Sequence, residues 1–489
     1  MDASMPVNLR QAKARSLFPA IAFLGGIFAW LVSVPLFGPT WLTLAATSHA
    51  AAITPIYLFL GAHAVGLAAA GLTSDVWPAF RRAGALFAAA LCLLGTLLTA
   101  AWPAVASVTF PILGLLAAWG IVAWAPAFRL IVPLGSRALS FVGVPVVANA
   151  FKYLLTIGVG HIPAVWLVIL ASLPLVASLV YGPRVAAQAQ DEIARAPWTA
   201  APPRLDLRPL WLLAPFLFVV YLSAGVSYSA LTPSLLAMLH SAVDPSLLAY
   251  VLVIPLLALA GDRKGMRVVA VAGPLLLGAA FLIWAAWPTP GGAISTQVLM
   301  GAGYAAMDLL TWVALLEIAP PRGTATVFGI GLNMNVLPIL IGAGLQAQIT
   351  GLARLPATTL AGGMLFLMLV AVAFFRDTSL LVRHAAAQPG TDAGGAAADL
   401  AGQPKAPGPS SLPERLAAIG AGSLSPRELE VARLVLEGRT VGEVARELIV
   451  SENTIKTHLA SVYRKTGTRG RAELAAKVLA GGADQPAVD

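Results

Sequence analysis

Two groups of side chains in this sequence have types and spacings that could do chemistry. Near the C-terminus, Asn453, Thr454, Lys456, Thr457, Arg464 and Lys465 fall within one short charged segment. Amide, hydroxyl, ammonium and guanidinium groups of this kind donate to purine acceptors and phosphate oxygens, and a threonine methyl can meet a thymine methyl. Far upstream, Asp308 interrupts an apolar run between Tyr304 and Trp312, and Asn333 and Asn335 interrupt the next one. A carboxylate at membrane depth is costly and argues for a functional role. Facing a cavity, this group would bind a small molecule, with Tyr304 and Trp312 as apolar walls.

The elements that must present the first group can be read from their start signals. Ser425 is an N-cap followed by Pro426, and Glu428 completes a Ser-x-x-Glu capping box. Thr440 and Glu443 repeat the device. The first helix then buries Leu429, Ala432, Val435 and Leu436 and stops at Gly438, and the second buries Val444, Ala445 and Leu448. After Ile449-Val450, Ser451 caps a third helix whose inward positions are Ile455, Leu459 and Val462. That register turns Asn453, Lys456, Thr457, Ala460 and Arg464 outward. Two helices joined by a tight turn, the second presenting small and polar residues, match the geometry that enters a major groove. Arg464 and Lys465 lie nearer the backbone as phosphate clamps.

The second group belongs to a chain of another character. Of 489 residues, 58% are hydrophobic and only 11% are charged, which is the composition of a polytopic membrane protein. Stretches able to cross about 30 Å of hydrocarbon lie near residues 17–36, 51–71, 83–100, 104–124, 139–159 and 163–181. A second set lies near 210–229, 246–260, 268–286, 293–317, 324–346 and 357–375. The net charge of +9 is not in itself an argument for nucleic acid. Arg81, Arg82, Arg129, Arg137, the 184–208 segment, Arg263, Lys264, Arg267, Arg322, Arg376 and Arg383 fall in every second loop, where basic residues set orientation. Both termini are therefore expected in the cytoplasm, with the protein in the inner membrane.

The expected organisation is a cytoplasmic N-terminus (1–16), a first six-helix half (17–181), a connector (182–209) and a second half (210–375). A flexible linker (376–411), a helical module (412–480) and a disordered tail (481–489) follow. The fold class is all-α: about twelve membrane helices in a 6+6 bundle, plus a small four-helix module. His63, Asn149 and Lys152 are further polar residues inside spans. His63 is expected to be structural and Lys152 to snorkel toward an interface.

Two resemblances follow from these residues. Leu424-Ser425-Pro426-Arg427-Glu428, Gly438, Val444-Ala445-x-x-Leu448, Ser451-x-x-Thr454-Ile455-Lys456-Thr457-His458-Leu459 and Tyr463-Arg464-Lys465-Thr466-Gly467 resemble the LuxR-type DNA-binding domain. The resemblance implies base or phosphate contacts at Asn453, Thr454, Lys456, Thr457 and Lys465. It also implies a homodimer on two half-sites of double-stranded DNA, paired through a fourth helix near 470–479 that uses Leu474 and Val478. Asp262-Arg263-Lys264-Gly265-Met266-Arg267 resembles the loop signature of the major facilitator superfamily, which implies two membrane halves around a central site. Met266 stands where that family usually has Arg.

With one cysteine, Cys92, no internal disulfide or multi-cysteine metal site can form, and the sequence calls for no metal and no cofactor. No nucleophile and base arrangement or phosphate-cradling loop is present, so an enzyme is not expected. Two functions stay open: a membrane-integrated transcriptional regulator that senses an unknown small molecule or membrane signal, or a secondary transporter carrying a regulatory DNA-binding domain. Lipid is a partner in either case.

Overall fold

A computed structural model of the chain describes residues 7–74, 78–132, 137–195, 207–320, 323–353, 359 and 362–369, and in the C-terminal region 424–436, 444, 452–468, 470, 473–474 and 477–478. The chain forms two compact units, Met1–Pro389 and Gly390–Asp489.

In the larger unit the apolar stretches become helices: α1 Val7–Ser33, α2 Pro39–Ser48, α3 Thr54–Ser74, α4 Pro78–Ala101 and α5 Ala106–Ile131. Next come α6 Arg137–Phe141, α7 Gly143–Gly158, α8 Ala164–Ser172 and α9 Pro174–Arg195. The second half holds α10 Arg208–Val226, a π-helical turn Ser227–Leu231, α11 Thr232–Met238, α12 Pro245–Lys264, α13 Met266–Ala286, α14 Pro290–Ile318 and α15 Thr324–Ala353. Among the described residues nine helical stretches are long and apolar enough to cross a membrane, and Leu17–Ser33 and Leu86–Ala101 are shorter apolar helices. Residues 362–369, within the expected twelfth span, are also helical. Large apolar side chains such as Leu94, Leu252 and Leu256 point outward, as a lipid-facing surface requires.

Three expectations change. Residues 182–195, expected in the connector, continue α9, and α1 already begins at Val7, inside the segment expected as an N-terminal tail. Helix α2 fills what reads as a loop: Pro39 starts it and Thr43, Thr47 and Ser48 bond carbonyls within it. The expected linker at 376–411 and tail at 481–489 lie outside the described residues.

The halves meet closely where α3 crosses α15. A Cβ on Gly71 would stand 2.9 Å from the Cα of Gly329, too near for any side chain, so two glycines let the backbones touch. At the same end of the bundle, where the basic loops lie, four hydrogen bonds tie the halves. Arg129 Nε donates to the Ala319 carbonyl at 2.8 Å and Arg137 Nη1 to the Leu316 carbonyl at 2.8 Å. The Leu139 amide donates to Asp262 Oδ2 at 3.1 Å and the Thr326 hydroxyl to the Gly71 carbonyl at 2.9 Å. Two arginines legible only as loop charges thus cap the C-terminal carbonyls of α14, where cations also meet the negative end of the helix dipole. Gly265, at φ +88, ends α12 just beyond Asp262.

In the smaller unit α16 (Pro426–Leu436) and α17 (Glu452–Thr466) pack together. One apolar cluster joins Val431, Leu434, Val435, Val444, Ile455 and Leu459; a second joins Leu424, Ala432, Val462, Leu474 and Val478.

Candidate functional site

Along α14 the bundle interior is layered. A cavity of about 340 Å³ lies around Tyr304 and Asp308. One turn nearer the basic-loop end, Trp312 stacks on Phe141 with ring centroids 5.1 Å apart and meets Phe28, Trp124 and Phe328 at 5.2, 5.7 and 5.7 Å. These rings come from both halves and close the cavity on that side. A further turn brings the carbonyls bonded by Arg137 and Arg129. In the other direction the cavity reaches Pro39 at the start of α2, Pro233 on α11 and Asp244 at the start of α12.

Asp308 is the organising group. Tyr221 on α10 donates its hydroxyl to Oδ1 at 2.9 Å, and Tyr250 on α12 donates to Oδ2 at 2.9 Å. Two charge-directed hydrogen bonds from separate helices fix a carboxylate in one orientation. Tyr304 donates instead to Ser227 Oγ at 3.1 Å, on the π-helical turn that also carries Tyr228. Such turns are rare and frequently mark functional sites.

Of the ligand candidates read from the sequence, Asp308, Tyr304, Trp312 and Asn335 line the cavity. Asn333 does not: its amide donates to the Gly329 carbonyl of its own helix at 3.0 Å. Lys152 lines the cavity instead of snorkelling to an interface, and Asn149 and His63 join it. His63 Nδ1 bonds the Gly114 carbonyl at 2.8 Å and its ring stacks on Phe59, a helix-joining role consistent with the expectation. Tyr221, Tyr250, Tyr228 and Asp244 were missed. A tyrosine in an apolar helix carries no periodic signal, and only the fold shows that two of them converge on one carboxylate.

In the smaller unit the capping box of α16 forms. The Ser425 amide donates to Glu428 Oε2 at 2.7 Å and the Glu428 amide to Ser425 Oγ at 3.3 Å. The second box, at Thr440 and Glu443, lies outside the described residues, as do Ala445, Leu448 and Ser451. On α17, Ile455, Leu459 and Val462 are buried as the register predicts, while Thr457, Ala460 and Arg464 are exposed and Thr454 is half-buried. Asn453 and Lys456 belong to α17 by their backbone, and their side chains lie outside the described residues. Gly467, at φ +63, ends the helix, with the Thr468 amide bonded back to the Tyr463 carbonyl at 2.9 Å. This is a left-handed glycine cap.

Three of the expected site residues make contacts within the module. The Lys465 ammonium bonds Glu428 Oε2 at 2.7 Å, so it clamps α17 to the capping box. That ammonium, with the Ser461 hydroxyl and the Ser425 amide, holds the Glu428 carboxyl well below its usual range, at about 2. Leu474 and Val478 are 0% and 2% exposed within the module's own second cluster. They hold the fourth segment onto α16 and α17, and among the described residues of that segment Glu473 and Lys477 are exposed.

The profile of the bacterial regulatory proteins of the luxR family matches residues 422–478. The spore germination protein GerE of Bacillus subtilis is 36% identical over 56 residues, which are 12% of this chain and 76% of GerE. A protein of Mycobacterium bovis described as an HTH-type transcriptional regulator is 47% identical over 57 residues, and there the match spans 12% of this chain and only 6% of the relative's length. Among solved structures, the proton:xylose symporter XylE of the major facilitator superfamily aligns with a TM-score of 0.57 at 13% identity, over 75% of this chain and 96% of the symporter. At that identity the likeness shows the fold alone.

Proposed function

Because the chain belongs, through residues 422–478, to the luxR family of bacterial regulatory proteins, we propose that it is a membrane-integrated transcriptional regulator whose bundle senses a small molecule and controls promoter binding. The observation that carries the reading is the doubly hydrogen-bonded Asp308 in the cavity, in the same polypeptide as a helix that exposes Thr457, Ala460 and Arg464. In this reading Asn453, Thr454, Lys456 and Thr457 contact bases or phosphates of double-stranded DNA, Arg464 contacts the backbone, and the module acts as a homodimer on two half-sites. The protein sits in the inner membrane with both termini in the cytoplasm. A ligand favouring one arrangement of the two halves shifts their equilibrium by no more than its differential affinity, and that shift alters the module's access to its operator.

The test begins by sequencing the DNA that co-purifies with the membrane fraction, which identifies the operator, and then places a reporter behind it. Asp308→Ala should abolish the response to inducing medium while the module still footprints the operator. An unchanged response removes the cavity from the mechanism. The fold of the bundle supports a second reading, net transport. Ligand accumulation in vesicles that an uncoupler abolishes would favour it, and saturable binding without flux would count against it.

A further inference from the structure

The polarity of the cavity wall points to a charge for its occupant. Each phenol has one proton to give, and those of Tyr221, Tyr250 and Tyr304 go to Asp308 and Ser227. The Tyr221 oxygen also meets the Thr311 hydroxyl at 3.0 Å, and toward the cavity the Tyr250 and Tyr304 hydroxyls offer oxygen lone pairs. Among the described residues that line the cavity, the acidic and basic side chains with full charges are Asp244, Asp308 and Lys152. Asp244 is already matched. It caps α12, accepting the Ser246 amide at 2.8 Å at the positive end of that helix, and Lys152 brings a positive charge to the same cavity wall. Asp308 receives only neutral phenols, so one negative charge is left without a cation.

Around that charge stand aromatic rings. Tyr221, Tyr228, Tyr250, Tyr304 and Trp312 all line the same space, and Tyr228 and Tyr304 lie 5.8 Å apart. Aromatic faces attract cations most when water is excluded. We infer that the cavity takes a monovalent organic cation, an ammonium with apolar substituents, whose charge sits beside Asp308 and whose substituents lie against the tyrosine and tryptophan rings. The volume of about 340 Å³ suits a molecule of that class.

The inference rests on the cavity being a ligand site, as proposed above, and it can fail while that reading stands. The full chain in detergent is titrated with tetraphenylphosphonium and, separately, with tetraphenylborate, its near-isostere of opposite charge, following tryptophan fluorescence and confirming by equilibrium dialysis. Saturable binding of the cation at least tenfold tighter than the anion is expected. Asp308→Asn should lose at least tenfold of it, and Asp308→Glu should restore most of the loss, which separates charge from folding. Lys152→Met, which removes a positive charge from the cavity wall, should raise cation affinity. Preference for the anion, lost in Lys152→Met, overturns the inference but keeps a ligand site in the cavity. Absence of saturable cation binding overturns it as well, and the promoter reporter then decides whether the cavity senses anything at all.

Discussion

Glu428 and Lys465 form a strut whose strength can be measured and whose role can be told apart from DNA contact. The carboxylate receives the Lys465 ammonium and the Ser425 amide, each at 2.7 Å, and its pKa falls from 4.5 to about 2. That difference caps the contribution of the charge to stability at about 3 kcal/mol at neutral pH. Since the Lys465 side chain keeps 29% of its surface in solvent, screening reduces the figure to about 1–2 kcal/mol. A group whose folded pKa is depressed stabilises fully above its unfolded value. The contribution should therefore be complete above about pH 4.5, decline as the pH falls toward 2 and vanish below that. Urea unfolding of the separated 390–489 unit, which has its own two apolar clusters, is the assay. Glu428→Gln should lose about 1–2 kcal/mol at pH 7 and almost nothing at pH 2. Lys465→Met should lose a similar amount at pH 7, while the slope of log affinity for operator DNA against log salt stays where it was. Lys456→Met should instead shrink that slope by about one. The strut is refuted if Lys465→Met shrinks the slope and leaves the urea midpoint unmoved.

Other outcomes follow from the same contacts. Lys456→Ala with Thr457→Ala should abolish footprinting while the far-ultraviolet circular dichroism and thermal midpoint of the module hold, since Thr457 lies on the exposed face of α17; retained sequence-specific protection would move the interface elsewhere. Leu474→Ala should cost about 2–5 kcal/mol in urea unfolding, because the side chain is fully buried in the module; a folded monomer of undiminished stability, seen by ultracentrifugation, would restore it as a pairing residue. Gly329→Val should destabilise the bundle in detergent, read as a lower thermal midpoint, because its Cβ would collide with the Leu67 carbonyl and Gly71. Arg137→Ala should speed maleimide labelling of a cysteine introduced at Asn335 from the basic-loop side, with buried Cys92 as the silent background; an unchanged rate would mean that the arginine ties do not keep that end closed.

The helices of the bundle and the inward register of α17 could be read from the sequence because both rest on local rules. An apolar run of spanning length must satisfy its backbone internally, and Ile455, Leu459 and Val462 recur at helical spacing whatever surrounds them. Asp308 could be found for the converse reason: a carboxylate in an apolar run violates the rule. Its partners could not. Tyr221 lies 87 residues away and Tyr250 lies 58 away, and a tyrosine is no anomaly in a membrane helix. Lys152 was misjudged because the length of its stem permits either an interface or a cavity, and only the neighbouring helices decide. The contacts of Lys465 and Leu474 could not be read either, because a motif specifies which residue type stands at a position and not what it touches, here Glu428 and the cluster with Ala432 and Val462.

The hydrogen bonds that tie the two halves also set the energy that a sensor would have to supply. Two of the four at the basic-loop end are donated by guanidinium groups and one is accepted by a carboxylate. Charged hydrogen bonds contribute about 1.5–3 kcal/mol each and neutral ones about 1, so the set is of the order of 5–10 kcal/mol before the cost of strain and ordering. Swinging a two-state equilibrium from one side to the other takes about 5.5 kcal/mol of differential binding, and an occupant with micromolar affinity has about 8 kcal/mol in all. A ligand can therefore drive the transition only if most of its contacts exist in one arrangement and not the other. The cavity suits that demand, because Asp308 and its tyrosine donors belong to the second half while Phe28, Phe141, Asn149 and Lys152 on the same wall belong to the first. Movement of one half against the other would change what a ligand held at Asp308 meets across the cavity. It follows that Tyr250→Phe, which leaves the carboxylate but frees one of its oxygens, should alter the ligand concentration needed for half-maximal promoter response more than it alters the maximal response.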